Sequence, residues 1–93
     1  KHVHKGTIEN AYTISNGEYE VIEADIIETS ELINKEIKNA NLPDELRIGA
    51  ILREKKVIIP RSNFVFKKDD TVVFIVKKDS IPYVENIFRL SSV

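Results

Sequence analysis

The chain lacks cysteine, and its 93 residues include no methionine and no tryptophan. Without cysteine it can form neither a disulfide framework nor a thiolate zinc site, and this absence fits a reducing compartment. It has no apolar run long enough to span a bilayer and no secretory signal pattern at its start. What remains is a length that suits one domain, with 42% apolar residues to form its core.

An excess of charge of one sign is also missing. The chain has 14 basic and 15 acidic residues, so its formal net charge is −1. Charges of both signs interspersed on a surface give little long-range attraction for nucleic acid or anionic lipid. We therefore expect no nucleic-acid partner.

The first residues are Lys1-His2-Val3-His4, with no initiator methionine. The chain is therefore either processed or excised from a longer protein. We favour excision and expect the rest of the parent protein to hold the activity that this piece serves.

The strongest local signal is Asn16-Gly17, which lies between two runs rich in β-branched and aromatic residues. Asn-Gly favours a tight hairpin because both turn residues must take positive φ. We predict strands over residues 7–14 and 18–27. Apolar doublets in the second strand indicate either that both faces are partly covered or that a bulge shifts the pattern. A helix over part of 7–23 is the competing interpretation, and Asn-Gly argues against it.

A short amphipathic helix is predicted over residues 31–40. Ser30 can cap its first turn, and Ile33, Ile37 and Ala40 share one face at helical spacing. Pro43 prevents the helix from continuing beyond Asn41.

Two paired strands and a third strand follow. Residues 47–53 predict a strand with Ile48, Ala50 and Leu52 on one face, and Glu54-Lys55-Lys56 turns the chain into a short strand over 57–59. Pro60 ends that strand because it cannot donate to a central ladder. Residues 62–68 form a connection that Phe64 and Phe66 pin to the core.

The last part of the chain predicts a central strand over 71–76, which is continuously apolar, and a final helix over about 81–90. Asp79 or Ser80 can cap this helix, and Pro82 fits in its first turn. Its apolar stripe is Ile81, Val84, Ile87 and Phe88. Helices packed on a mostly antiparallel sheet make an α+β domain.

The order of these motifs resembles that of the TrkA-C domain, the C-terminal subdomain of the potassium-conductance regulator (RCK) proteins. The motifs are Asn41-Leu42-Pro43, Ile48-Gly49-Ala50-Ile51-Leu52-Arg53, Val57-Ile58-Ile59-Pro60-Arg61 and the run from Phe66 to Ile75. By this resemblance residues 1–18 are a lead-in strand and hairpin segment, and 19–93 are the domain. The turn at Glu54-Lys55-Lys56 departs from the family, which often has glycine there.

The resemblance implies a cytoplasmic regulatory domain at the inner face of the cell membrane. Its partners would be a second copy of itself and a membrane potassium-transporter subunit. The family places NAD or ATP in an N-terminal Rossmann subdomain. We expect no cofactor in this fragment, because Gly6, Gly17 and Gly49 are too far apart to cradle a pyrophosphate.

Some relatives bind a cyclic dinucleotide at the dimer interface through the corresponding strand ends. In this sequence those positions are Arg47, Ile59, Pro60 and Arg61. Arginine offers bidentate contact to phosphate, and the isoleucine and proline would contact a base. The plainer interpretation is surface arginines beside a proline that ends a strand.

Other polar groups give no site. His2 and His4 alternate but have no third metal ligand nearby, so we predict no metal site. Glu18, Glu20, Glu23 and Asp25 are explained by a solvated sheet face. Three lysine doublets lie at strand ends, where they make solubilising turns: Lys55-Lys56, Lys67-Lys68 and Lys77-Lys78. No serine or threonine has a histidine partner for nucleophilic activation, so no residue is predicted to be catalytic.

The leading functional hypothesis is a regulatory, non-catalytic domain of a Trk-type potassium-uptake system, which acts by dimerisation and ligand sensing. The alternative is the same domain fused to another transporter, such as an anion permease or a cation–proton antiporter. A nucleic-acid-binding α+β module ranks third, and an enzyme ranks last.

Overall fold

The computed structural model describes residues 8–88, with side chains described from residue 16 onward. These residues form one five-stranded antiparallel sheet in the order β1-β2-β5-β3-β4 and a single α-helix. The elements are β1 (Ile8–Ile14), β2 (Tyr19–Asp25), β3 (Arg47–Arg53), β4 (Lys56–Ile58), β5 (Thr71–Lys77) and α1 (Ile81–Phe88). The predicted α+β class is confirmed. No helix within residues 8–88 is long and apolar enough to cross a membrane.

The hairpin of β1 and β2 turns at Asn16 and Gly17, as the sequence predicts. Both residues have positive φ, 58° and 87°. Asparagine and glycine tolerate this left-handed backbone better than other residues do. The pairing runs from Ile14 opposite Tyr19 to Ile8 opposite Ala24. The predicted boundary between residues 18 and 19 therefore falls at the hairpin turn.

Strand β5 lies in the middle of the sheet, as its continuous apolar sequence predicts. It pairs with β2 on one side and with β3 on the other, and Phe74 is opposite both Ile22 and Ile48. Val72, Phe74 and Val76 are buried, while the residues between them are half-buried. One face of the sheet is therefore covered by the core.

The core is built on this covered face. Phe88 of α1 stacks on Phe74 with ring centroids 5.2 Å apart, and Phe66 is fully buried from the connection before β5. Pro82 lies in the first turn of α1, and Val84, Ile87 and Phe88 are buried on its apolar face, as predicted. The proposed caps Asp79 and Ser80 lie in a 3₁₀ turn before α1. Residues 89–90, the predicted end of this helix, lie outside the described residues.

The predicted helix over residues 31–40 is wrong. The structure has turns there, followed by a three-residue 3₁₀ helix, Ile37–Asn39. The backbone bonds across to the connection before β5: Asn34 N–H donates to Phe66 O (2.9 Å), and Phe66 N–H donates to Lys35 O (3.0 Å). Asn34 has a φ of 67°, which no right-handed helix can include. Long-range pairing replaces the local hydrogen bonds.

The prediction that Ile48, Ala50 and Leu52 share one face of β3 is also wrong, because Ile48 is opposite Phe74 whereas Ala50 is opposite Val73. The register shifts between Ile48 and Ala50, which marks a bulge at Gly49. An extra residue in one strand reverses the alternation beyond it. Ile51 is therefore fully buried, and Leu52 is 37% exposed.

Candidate functional site

A groove of about 470 Å³ lies at the end of the sheet where β3 begins and where the chain leaves β4. Three stretches of chain form it, because β3 and β4 are antiparallel neighbours and the connection before β3 closes the same end. Its lining is Ile37, Lys38, Asn41, Leu42, Pro43, Asp44, Leu46, Arg47, Ile48, Pro60, Arg61 and Ser62. The volume is within the range of small-molecule sites.

Three of the four residues predicted to bind a ligand line this groove. Arg47 opens β3, and Pro60 and Arg61 follow β4. The fourth, Ile59, is not part of the lining, and its side chain is 72% exposed. The antiparallel pairing of Arg53 with Lys56 and of Ile51 with Ile58 puts the start of one strand beside the end of the other.

The groove has more positive than negative charge. Lys38, Arg47 and Arg61 face one carboxylate, that of Asp44. Within residues 16–88 the Arg61 side chain makes no hydrogen bond or ion pair, so its guanidinium is available to an anion. Arg47 uses one nitrogen, Nη1, to donate to the carbonyls of Asp44 (2.6 Å) and Leu46 (2.9 Å).

The rest of the lining is mainly apolar and comes from Ile37, Leu42, Leu46, Ile48 and the two prolines. Such a mixture suits a ligand that combines a flat apolar ring with an anionic group. Sequence reasoning missed the stretch from Ile37 to Asp44 as a part of the site, because it interpreted this stretch as a helix and its end. The Asn41-Leu42-Pro43 motif was a signal, since it breaks regular structure just before a strand.

A second notable surface is the other face of the sheet. Val21, Val73 and Ala50 alternate with core residues along β2, β5 and β3, so they lie on the face opposite Phe74. Leu52 pairs with Val57, which is 67% exposed. We call this set, with Ile75 opposite Val21, the outer face. The buried side chains of α1 and of the long connections pack on the opposite side.

The carboxylates of β2 do not converge on a metal site in the described part of the chain, where no group of three potential metal ligands occurs. Asp25 accepts a hydrogen bond from the Thr71 hydroxyl (2.6 Å). Glu18 is exposed, while Glu20 and Glu23 are half-buried. His2 and His4 lie outside the described residues.

A sheet covered by the core on one face, a groove with basic and apolar lining, and an outer face with exposed Leu52 and Val57 characterise this small α+β domain. The chain belongs to the TrkA-C domain family, whose model matches residues 21–89. This confirms the family predicted from the motifs. The family is one of regulatory domains and not a catalytic one.

The curated relatives are potassium-uptake proteins. The chain is 35% identical over 91 residues to the Trk system potassium uptake protein TrkA of Azorhizobium caulinodans, and 33% identical over 95 residues to that of Haemophilus influenzae. Each match covers 98% of this chain but only 20% and 21% of the relative. The chain therefore spans about a fifth of the length of these relatives.

Two solved structures share the fold. The RCK_C domain dimer of S. agalactiae BusR, in complex with c-di-AMP, superposes with a TM-score of 0.63 at 27% identity, over 72% of this chain and 92% of that one. An RCK domain with cda superposes with a TM-score of 0.60 over 72% of this chain and 94% of that one; at 14% identity it supports the fold alone.

Proposed function

We propose that the chain is a regulatory, non-catalytic domain of a Trk-type potassium-uptake protein, which binds an anionic ligand in the groove and pairs with a second copy. The observation that carries this proposal is the meeting of Arg47, Pro60 and Arg61 in one groove. The similarity to a domain dimer that holds c-di-AMP supports the class of ligand.

A cyclic dinucleotide suits the chemistry of this groove. Its phosphates are anions that the Arg61 guanidinium can contact with two parallel hydrogen bonds. Its purine rings offer flat apolar surface for Ile48 and Pro60. Arg47 keeps Nε and Nη2 for a ligand, because only Nη1 is bonded to the loop carbonyls.

Calorimetric titration with c-di-AMP tests the ligand. We expect Arg61→Ala to weaken binding roughly tenfold or more, because a hydrogen bond to a charged group contributes about 1.5–3 kcal/mol. Arg61→Lys should recover part of the affinity, since it keeps the charge without the bidentate geometry. Arg47→Ala should also weaken binding.

Lys68→Ala is the matched control, because this exposed cation lies outside the groove lining and should bind c-di-AMP as the unchanged chain does. Equal affinity in Arg61→Ala and the unchanged chain would remove the groove from the proposal. Equal affinity in Arg47→Ala would remove Arg47 from the site.

The second copy would cover the outer face. Exposed apolar side chains that lie together mark interaction surfaces. On the outer face Val57 is 67% exposed and its pairing partner Leu52 is 37% exposed, while the other members are half-buried. After β4, which carries Val57, the chain continues directly into Ile59, Pro60 and Arg61. Pairing and ligand binding would therefore involve neighbouring residues, so the ligand can bias the pairing.

Sedimentation equilibrium tests the pairing. We expect a dimer at micromolar concentration. Val57→Lys should shift the equilibrium toward monomer, because burying an unpaired ammonium group in the interface costs free energy. Asn63→Lys adds the same charge at an exposed turn away from the outer face and should leave the dimer intact. A strict monomer at high micromolar concentration would contradict the pairing.

In the whole protein, this domain would lie on the cytoplasmic side of a membrane potassium-transporter subunit and change its gating when ligand alters the pairing. A site for NAD or ATP would lie in a Rossmann subdomain beyond this sequence. Potassium uptake by cells that carry the whole protein with Arg61→Ala tests this step. Uptake that responds to the ligand as in unaltered cells would contradict it.

A further inference from the structure

One wall of the groove is a single connection, which we call the wall segment: residues 41–46. Five of its residues line the groove: Asn41, Leu42, Pro43, Asp44 and Leu46. The shape of the groove therefore depends more on the position of the wall segment than on the position of any other connection in the lining.

The backbone of the wall segment gives it little support. Among the described residues, its backbone–backbone hydrogen bond is internal, from Leu46 N–H to Pro43 O (3.1 Å). Leu46 anchors the far end in the core at 5% exposure. The near end begins with Asn41 at a φ of 53°. Between these ends, the Leu42 side chain packs against the core, and side chains from other elements bond to the polar groups of the segment.

Two of those side chains come from the C-terminal helical region. The Tyr83 hydroxyl, on α1, donates to the carbonyl of Asn41 (2.9 Å), and the Ser80 hydroxyl donates to Glu45 Oε1 (3.4 Å). Tyr83 is 50% exposed, so burial does not require its hydroxyl to have this partner. The third support is Arg47, whose Nη1 binds the carbonyls of Asp44 and Leu46.

We propose that Tyr83 is a positioning residue for the groove. Its hydroxyl fixes the Asn41 carbonyl and holds the wall segment where a ligand needs it, so less ordering remains to be done when the ligand binds. The coupling is reciprocal, so ligand in the groove strengthens the contact between the wall segment and α1. The effect on ligand affinity rests on the proposed function, whereas the contact itself does not.

Tyr83→Phe tests the contact, because it removes the hydroxyl and keeps the ring. Without ligand, amide hydrogen exchange should be faster at Leu46, whose N–H donates to Pro43 O within the wall segment, while the melting curve stays that of a folded chain. With c-di-AMP, calorimetry should show binding weakened about fivefold, the value for one net hydrogen bond. Asn86→Ala, an exposed change on the same helix, should alter neither measurement.

Two double variants separate positioning from a general loss of stability. Tyr83 and Arg47 support the same wall segment, so Tyr83→Phe with Arg47→Ala should give non-additive effects on c-di-AMP affinity. Tyr83→Phe with Arg61→Ala should be additive, since Arg61 lies on a different wall. If Tyr83→Phe only loosened the fold, its effect on c-di-AMP affinity would combine in the same way with Arg47→Ala as with Arg61→Ala.

Unchanged exchange in the wall segment of Tyr83→Phe would overturn the proposal, whatever the ligand does. Faster exchange with unchanged c-di-AMP affinity would overturn it as well, because the hydroxyl would then hold the wall without serving the groove. If the unchanged chain does not bind c-di-AMP, the proposed function fails, while faster exchange in Tyr83→Phe would still support the positioning contact.

Discussion

At the scale of single residues, Asp70 is a carboxylate that is almost fully buried and needs its hydrogen-bond partners. Its side chain is 1% exposed and accepts hydrogen bonds from Arg53 Nε and Nη2, both at 2.7 Å, and from Lys67 N–H at 2.8 Å. Arg53 also donates to Val65 O (2.9 Å) and lies over the ring of Phe64. This pair ties β3 to the connection before β5.

We expect Arg53→Met to lower the free energy of unfolding by about 3–5 kcal/mol, the usual loss when a buried charge is left without its partner. Asp70→Asn should be milder, because the Arg53 side chain is 31% exposed and can turn to water. Denaturant unfolding measures both. A larger loss in Asp70→Asn than in Arg53→Met would contradict this ranking.

The same pair predicts how stability responds to alkali. The hydrogen bond with Asp70 raises the pKa of the Arg53 guanidinium, and the nearby charge of Asp70 adds to this effect against the opposing effect of burial. A raised pKa stabilises the fold at all pH values below that of free arginine, and this contribution is lost only as pH rises through the folded-state pKa. Arg53 should therefore cause no loss of stability in mildly alkaline solution.

At the scale of elements, the two hairpins use different residues for similar turns. Asn16 and Gly17 suit positive φ, but the turn between β3 and β4 places Glu54 at 52° and Lys55 at 66°. Left-handed backbone in such residues costs about 1–2 kcal/mol each because Cβ crowds the carbonyl.

We expect Lys55→Gly to raise the free energy of unfolding by about 0.5–1 kcal/mol, because the relief of strain outweighs the extra freedom of the unfolded chain. The same change one residue later, Lys56→Gly, should destabilise, since Lys56 is in β4. Thermal melting of both variants checks the sign. A Lys55→Gly variant that melts lower would show that the lysine side chain stabilises the turn.

At the scale of the whole molecule, the extent of the independently folding unit remains a prediction. The described core side chains come from Ile22 onward, and the family model begins at residue 21. Strand β1 adds a fifth strand by pairing with β2 alone. The proposed boundary at residue 18 therefore separates an edge strand from the body of the sheet.

We expect residues 19–93 to fold without the lead-in segment, with a lower melting temperature because β2 becomes an unprotected edge. Circular dichroism and thermal unfolding of this shortened chain, against the full 93 residues, measure both properties. An unfolded shortened chain would show that β1 is part of the minimal domain and that the boundary is misplaced.

Much of the fold could be predicted where local chemistry and tertiary environment agree. Asn16-Gly17 strongly favours a tight turn, and the apolar run of β5 favours a strand with neighbours on both sides. The stripe of Val84, Ile87 and Phe88 needs a helix to reach the core. In each case the local sequence favoured one conformation, and the packing of the folded chain favoured the same one.

Residues 31–40 could not be predicted in the same way. Their apolar spacing fits a helix, but their backbone groups form hydrogen bonds with those of Phe64 and Phe66 instead. The bulge at Gly49 was equally hidden, because alternation in the sequence does not reveal an extra residue in the ladder. Ile37 and Lys38, which lie in the segment predicted as a helix, line the groove, so only part of its lining could be named.

The succession of strands along the chain, the family and the position of Arg61 beside Pro60 follow from the sequence by itself, since each depends on neighbours along the chain. The groove, its wall held by Tyr83, and the outer face exist only in the folded molecule. They form where segments far apart in sequence meet, and the hydrogen bonds and packing made there outweigh local preferences that would have given a helix.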